Sequence, residues 1–259
     1  DCSIAGQCDV VTLAAADLGY PEAVRDYDAV EFELEKAFDG FWGFNFNYTW
    51  TNLVGNFEGA VKSDNNQSDA GLTQDFDQPG FLDGAYGDLA NGREHAFKLY
   101  GRVKPTDWLD VGINAILESP RKFSCIGNYQ NDSSTFEYSY GAASFYCRQA
   151  QFGGDGLDTG LNDGTGTGSV LVPRGTAFES DWNKRVDLGV TLTPAPETMP
   201  GVKFRVDVFN VFNWSSVLDR NEFGDYNFGG ANPNYGRVTG YQSPRSVRLS
   251  AFLRFGGQN

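Results

Sequence analysis

Between residues 42 and 50 every second side chain is a large aromatic ring. Trp42, Phe44, Phe46, Tyr48 and Trp50 alternate with Gly43, Asn45, Asn47 and Thr49. Successive side chains of a β-strand point to opposite faces. This segment therefore has one face of rings and one face of small or polar groups. A soluble sandwich buries such a face, whereas a membrane barrel turns the rings to lipid and the amides to a wet lumen.

Six further segments alternate with the same period. Residues 29–38 set Val30, Phe32 and Leu34 against Glu31, Glu33 and Glu35. Comparable patterns run over 95–103, 108–117, 184–193 and 202–212, and a last one sets Val247, Leu249, Ala251, Leu253 and Phe255 against Ser246, Arg248, Ser250 and Arg254. Each is about ten residues long, the length of a tilted membrane strand. The connections alternate as well. Asp39-Gly40, 104–107 and 194–201 are short, whereas 53–94, 119–183 and 213–245 are long. Short turns on one side and long loops on the other are the pattern of an outer-membrane barrel. Structureless loops of this length count against a compact soluble domain.

Composition agrees. The chain holds 21 Phe, 12 Tyr, 5 Trp and 32 Gly but one Met and one His, a balance that favours strands and turns. No apolar run approaches the roughly 20 residues of a membrane helix. A formal net charge of −14 argues against a nucleic-acid partner, which requires clustered Lys and Arg. The expected fold is all-β: an antiparallel transmembrane barrel portion with long extracellular loops. Seven strands do not give the even number of single-chain bacterial barrels, so a larger barrel is expected. An eighth strand within 10–16 is the alternative. The chain starts at Asp1 without an initiator Met or signal segment, as expected of a mature secreted protein or a piece of a longer one. Residues 1–28 read as an extracellular segment, 29–255 as barrel strands with their loops, and 256–259 as a tail.

The four cysteines form two local pairs, Cys2 with Cys8 and Cys125 with Cys147. Neither pair has zinc-type spacing or a nearby His. Two disulfides in an oxidising compartment are expected, with free buried thiols as the alternative.

Several stretches resemble one family. They are Tyr20-Pro21 with Leu34-Glu35-Lys36-Ala37-Phe38, Asn47-Tyr48-Thr49-Trp50, Gly55-Asn56-Phe57-Glu58-Gly59 with Lys62-Ser63-Asp64-Asn65, and Asp75-Phe76-Asp77 with Asp83-Gly84-Ala85-Tyr86-Gly87. Further on come Val172-Pro173-Arg174-Gly175, Asp207-Val208-Phe209-Asn210-Val211-Phe212-Asn213, and Tyr241-Gln242-Ser243-Pro244-Arg245 with Arg248-Leu249-Ser250. As an ordered set from about residue 20 onward they resemble TonB-dependent outer-membrane receptors of the long subfamily with an N-terminal carboxypeptidase-regulatory-like domain. The resemblance implies a plugged barrel of 22 strands, of which this chain supplies the C-terminal strands. It also implies energy from the TonB complex. The plug, the TonB-contacting segment and the regulatory-like domain are expected ahead of Asp1. Phe255 fits the terminal aromatic of such barrels, but Gly256-Gly257-Gln258-Asn259 follow it.

On this reading Trp42, Phe44, Phe46, Tyr48 and Trp50 face lipid. Glu31, Glu33, Glu35, Lys203, Arg205, Asp207, Arg248 and Arg254 face the lumen, to guide a charged solute or to pair across strands and with the plug. No cofactor is expected. Asp155, Asp158, Asn162 and Asp163 offer hard oxygens that could suit calcium, but the spacing is not that of an EF-hand, and the competing reading for this loop and for 64–88 is solvated acidic chain. Leu171-Val172-Pro173-Arg174-Gly175 resembles an engineered protease site by coincidence, and an exposed loop there could be cleavable. His95 is the one possible base of a Ser-His-Asp arrangement and has no Ser or Cys motif beside it, so no enzyme is expected. The expected function is active uptake or docking of an extracellular ligand at the bacterial outer membrane. The partners would be the rest of the barrel, its plug, the TonB complex and outer-membrane lipid. A passive or adhesive barrel and a soluble secreted β-sandwich that binds a ligand are the alternatives.

Overall fold

The computed structural model describes residues 13–129, 135–154, 168–199, 201–226 and 230–254. The period-two segments become seven long strands: β1 Arg25–Lys36, β2 Trp42–Gly55, β3 His95–Thr106, β4 Leu109–Glu118, β5 Asn183–Leu192, β6 Val202–Phe209 and β7 Ser246–Leu253. They form one antiparallel sheet in chain order, to which Gly87–Asp88 adds a short pairing against Val54 and Gly55. Among the described residues β1 does not pair with β7, so the sheet is open at both edges. Residues 10–16 do not close it in their described part, where Ala15–Leu18 is a 3-10 helix. The molecule is a section of barrel wall.

Several boundaries differ from the alternation. β1 begins at Arg25, four residues ahead of the expected start, so the leading segment is shorter than 1–28. β3 runs through Pro105 to Thr106, and its register shifts between Val103 and Thr106. Such an irregularity accommodates a residue that has no N–H to give the ladder. β6 stops at Phe209 because Asn210 turns into the left-handed region, with φ 49°.

The register joins each strand's apolar side into one surface. One row runs Trp42, Val103, Val111, Val190, Val206, Leu249. The next runs Phe44, Gly101, Ile113, Leu188, Val208, Val247. On β1, Val30, Phe32 and Leu34 lie opposite Trp50, Tyr48 and Phe46. The other face carries Gly43, Arg102, Gly112, Gly189, Asp207 and Arg248 in one row. A second polar row holds Glu35, Asn45, Tyr100, Asn114 and Asp187.

The apolar face is uncovered: Val30 is 61% exposed, Phe32 54% and Leu249 76%. The buried apolar side chains lie instead outside the long strands, among them Phe81, Ala85, Phe123, Ile126, Phe145 and Val172. A soluble sandwich places a second sheet over such a face, and no second sheet covers it among the described residues. An exposed apolar surface seven strands wide far exceeds the few hundred Å² normal for a water-soluble monomer.

Connections sort by end. At one end β1 and β2 are joined by a tight turn in which Asp39 Oδ1 accepts from the N–H groups of Phe41 (2.9 Å) and Trp42 (3.0 Å), while Lys36 Nζ donates to its Oδ2 at 2.6 Å. The Lys36 bond, then the two backbone donors, hold the Asp39 carboxyl well below the usual carboxylate range. Residues 107–108 make the second turn at this end, and the link from β5 to β6 also lies there. The long connections 56–94, 119–182 and 210–245 all leave from the opposite end.

Candidate functional site

The three long connections fold together into a cap at one end of the sheet. One apolar cluster joins Leu82 and Ala85 from the first connection to Ile126 and Phe145 from the second, with Tyr20 and Phe76 packed against it. A second is built on the Cys125–Cys147 disulfide, whose Cα atoms are 5.7 Å apart. Val172 is buried with it, and Tyr235 packs on it from the third connection. Gly224 passes so close that a Cβ there would lie 2.2 Å from Cys125 Sγ. Burial pushes the Tyr235 phenol up.

Between the clusters runs a chain of buried charges that uses all three connections. Lys62 Nζ is 2.5 Å from Asp75 Oδ1, and Arg174 Nη2 is 3.0 Å from Asp64 Oδ2. Both cations stand over the Phe145 ring, at 5.2 and 4.9 Å from its centroid. Ser124 Oγ donates to Asp64 Oδ1 at 3.4 Å, and Ser124 N donates to Glu222 Oε2 at 2.7 Å. Arg121 pairs with Glu222 and reaches Asp219 at 2.8 Å. A fourth link joins Arg148 Nε to Asp225 Oδ2 at 3.3 Å. Charges this far from water persist only when paired. Burial pushes the Glu222 carboxyl up to about 8, with the Asp64 charge acting in the same sense and Arg121 opposing it.

This arrangement bears on two expectations. Residues 64–88 are solvated acidic chain only in part: Asp69 and Asp77 are exposed, but Asp64 is 2% exposed and Asp75 is sealed, because Arg174 and Lys62 take their charges. Leu171 and Pro173 of the Leu171-Val172-Pro173-Arg174-Gly175 stretch are exposed, whereas Val172, Arg174 and Gly175 are buried. Arg174 is 1% exposed, and its N–H donates to Gly84 O at 2.9 Å. The Cys125–Cys147 pairing is present and braces the longest connection, as expected. Cys2, Cys8, Asp155, Asp158, Asn162, Asp163 and Phe255 lie outside the described residues. No group of His, Cys, Asp and Glu able to hold a metal occurs among the described residues.

Along the polar face the charges largely pair with one another. Asp207 accepts from Arg205 at 2.7 Å and from Arg248 at 2.9 Å. Gly189 leaves room for that cluster, since a Cβ there would meet Arg205 Nη2 and Asp207 Oδ1 at 2.9 Å. Asp187 takes Arg185 (2.7 Å), Asn114 (3.1 Å) and the N–H of Asn210 (2.9 Å). Asn45 Nδ2 on β2 donates to Glu33 on β1 at 2.5 Å, while Glu31 and Glu35 are exposed. The His95 ring stacks on Tyr48, whose hydroxyl is 3.0 Å from Nδ1, and forms no nucleophile–base pair.

Asn210 is the residue whose role the sequence motif did not reveal. It is 2% exposed, and its Nδ2 donates to Trp214 O (2.8 Å) and Ser243 O (2.9 Å), while Oδ1 accepts from Trp214 N (3.0 Å). One left-handed side chain thus fastens the start of the third connection to its end. An Asn closing a strand was the signal, since Asn tolerates this conformation better than other side chains.

The strands, cap and open edges can be set beside known proteins. No protein-family model matches the chain. The TonB-dependent transporter Oar of Myxococcus xanthus is 27% identical over 200 residues, which is 76% of this chain and 16% of that protein. The chain thus spans about a sixth of that relative's length. Among solved structures, the Escherichia coli outer membrane transporter YddB aligns over 88% of this chain and 25% of its own, at 13% identity and TM-score 0.48. The ferric-catecholate import receptor Fiu of E. coli aligns over 90% of this chain and 21% of its own (14% identity, TM-score 0.45). The siderophore receptor PiuA of Acinetobacter baumannii aligns over 89% and 22% (12% identity, TM-score 0.45). Likenesses at that level add nothing to what the strands themselves display. That relative is named a transporter. The chain is similar in sequence to a TonB-dependent transporter, and its seven long strands form one open antiparallel sheet.

Proposed function

We propose that this chain is the C-terminal wall section of a bacterial outer-membrane receptor that takes up or docks an extracellular ligand with energy from the TonB complex. One observation carries the reading: the apolar face is continuous, in register and uncovered, while the buried core lies in the loops. In water that arrangement is inverted, and in a bilayer it is the arrangement of lowest free energy. Trp42, Phe44, Phe46, Tyr48 and Trp50 then face lipid. Eight residue steps separate Trp42 from Trp50, about 27 Å along a strand and about 20 Å along the normal at a tilt of ~40°, close to the ~25 Å apolar band of such barrels. Phe38, Phe41, Trp42 and Trp108 mark the turn end and Trp50, Trp182 and Trp214 the loop end, as rings favoured at both interfaces would.

Glu31, Glu33, Glu35, Arg205, Asp207 and Arg248 then face the lumen, where further strands and a plug complete the wall. The cap stands outside the membrane at the entrance. Its disulfide fits the oxidising side of the envelope, and its buried charges make it a preformed rim.

The full-length protein should fractionate with the outer membrane and stay there through a carbonate wash. Recovery in aqueous buffer without detergent would overturn the reading. Deletion of its TonB-contacting segment should abolish uptake while leaving assembly intact, and uptake that persists would favour a passive barrel.

A further inference from the structure

The edge of β1 is open along its length. Its 12 residues pair with β2 on one side and with no strand on the other among the described residues. In hydrocarbon no water answers an unpaired row of N–H and C=O groups, so a strand must take this edge. Direction narrows the partner. As first and last of seven alternating strands, β1 and β7 both run from the cap to the turn end. A second copy of this chain, standing the same way up, would bring its β7 parallel to β1. Every pairing among the seven strands is antiparallel. The edge therefore fits a strand that runs toward the cap, where Tyr20 holds the chain ahead of β1 against the first apolar cluster.

The faces of β1 narrow it further. Elsewhere on the polar face, Arg102 of β3 is answered by Asp110 of the adjacent β4, and Arg248 of β7 by Asp207 of the adjacent β6. Glu31, Glu33 and Glu35 have no such answer. They lie opposite the uncharged Thr49, Asn47 and Asn45. All three are exposed, and Glu33 alone accepts a hydrogen bond, from Asn45, among the described residues. Lys98 lies one strand further on, opposite Asn47. Neither it nor any of the three glutamates is ion-paired among the described residues. On β1 itself Lys36 is spent on Asp39, and Arg25 lies six residues before Glu31, about 20 Å away along the strand. Residues directly opposite across a ladder stand with Cβ atoms about 4.5–5.5 Å apart, where opposite charges attract and like charges repel. The two-residue spacing of the glutamates is also the spacing of side chains on one face of a neighbouring strand.

We propose that β1 pairs with a strand of the full-length receptor that is basic on its lumen face. Lys or Arg stand at alternate positions opposite Glu31, Glu33 and Glu35, and apolar side chains between them continue the surface of Val30, Phe32 and Leu34. This pairing rests on the outer-membrane reading, because only a barrel continues the wall past β1. A plug in the lumen would meet the glutamates but leave the edge backbone unpaired. The opposite edge calls for no such charge. Of Ser246, Arg248, Ser250 and Phe252 on the polar face of β7, the one charge is already taken by Asp207.

The test uses the full-length receptor in outer-membrane preparations. Glu33→Cys carries a thiol-specific photocrosslinker, and mass spectrometry identifies the peptide it captures other than β2. That peptide should alternate with period two and place Lys or Arg on one face. The triple variant E31K/E33K/E35K should lower the assembled fraction, read by heat-dependent gel mobility, on the order of tenfold. Acidic substitution of the basic residues so identified should restore it, and this holds as the deciding measurement even where the triple variant alone fails to assemble. Capture of a strand without alternate cations, of a non-alternating lumen segment, or of a second, isotope-labelled copy would overturn the proposal and leave the receptor reading standing. So would normal assembly of the triple variant, or no restoration by the acidic partner. Recovery of the unaltered protein in aqueous buffer without detergent would overturn both.

Discussion

Arg174 Nη2 stands 3.0 Å from Asp64 Oδ2 across 110 positions of sequence, and neither side chain reaches solvent. That contact pins the return of the second connection onto the first. Removing one partner of a buried pair strands the other charge, at a cost of about 3–5 kcal/mol. Arg174→Met should therefore loosen the cap, read as faster amide hydrogen exchange over 119–129 and 168–180. Exchange equal to that of the unaltered protein would show that the pair holds nothing in place.

Glu222 makes the cap sensitive to pH. Its usual value is 4.5, and in the cap it is raised to about 8. Between those limits the folded cap holds a proton that the unfolded chain has released. The folded state then binds more protons, so stability falls as pH rises through that window. Protease susceptibility of the cap should rise from pH 6 to pH 9, and Glu222→Gln should flatten the profile. A profile unchanged by the substitution would assign the effect elsewhere.

The Cys125–Cys147 bond closes 22 residues of sequence inside the second apolar cluster. A loop of that size contributes about 3 kcal/mol. Non-reducing mass spectrometry should find the two peptides linked. The double serine variant should insert normally yet show protease cleavage between 119 and 182.

Asn210 combines a left-handed backbone with three side-chain hydrogen bonds. Asn210→Ala loses the bonds and strains the backbone, for a total of about 2–3 kcal/mol. Asn210→Gly relieves only the strain. Thermal unfolding of the detergent-solubilised receptor should rank the unaltered protein above the Gly variant and the Gly variant above the Ala variant. Equal values for Gly and Ala would remove the backbone part of the account.

Phe46 lies midway along the apolar face, between Leu34 and Leu99. Phe46→Arg places a cation at the bilayer midplane, where it costs about 2–4 kcal/mol. Assembly in the outer membrane, measured by heat-dependent gel mobility, should fall. Normal assembly would show that this face does not meet lipid.

The strands were legible because their signal is local. Period-two alternation over about ten residues at once sets strand, face and direction, and Trp42 to Trp50 needs no distant contact to declare itself. The cap was not legible, because charges in it are neutralised from other connections, Arg121 by Asp219 and Asp64 by Arg174, and even Lys62 meets Asp75 only through the fold of its own connection. Read one at a time, those side chains looked like solvated acid and base. The same distance hid Arg174, whose motif suggested an exposed loop until Gly84 and Asp64 enclosed it. The sequence by itself therefore determined the wall, since the pleat of a strand imposes its faces residue by residue. Only the tertiary structure decided the cap, since burial and charge pairing depend on which loops meet in space.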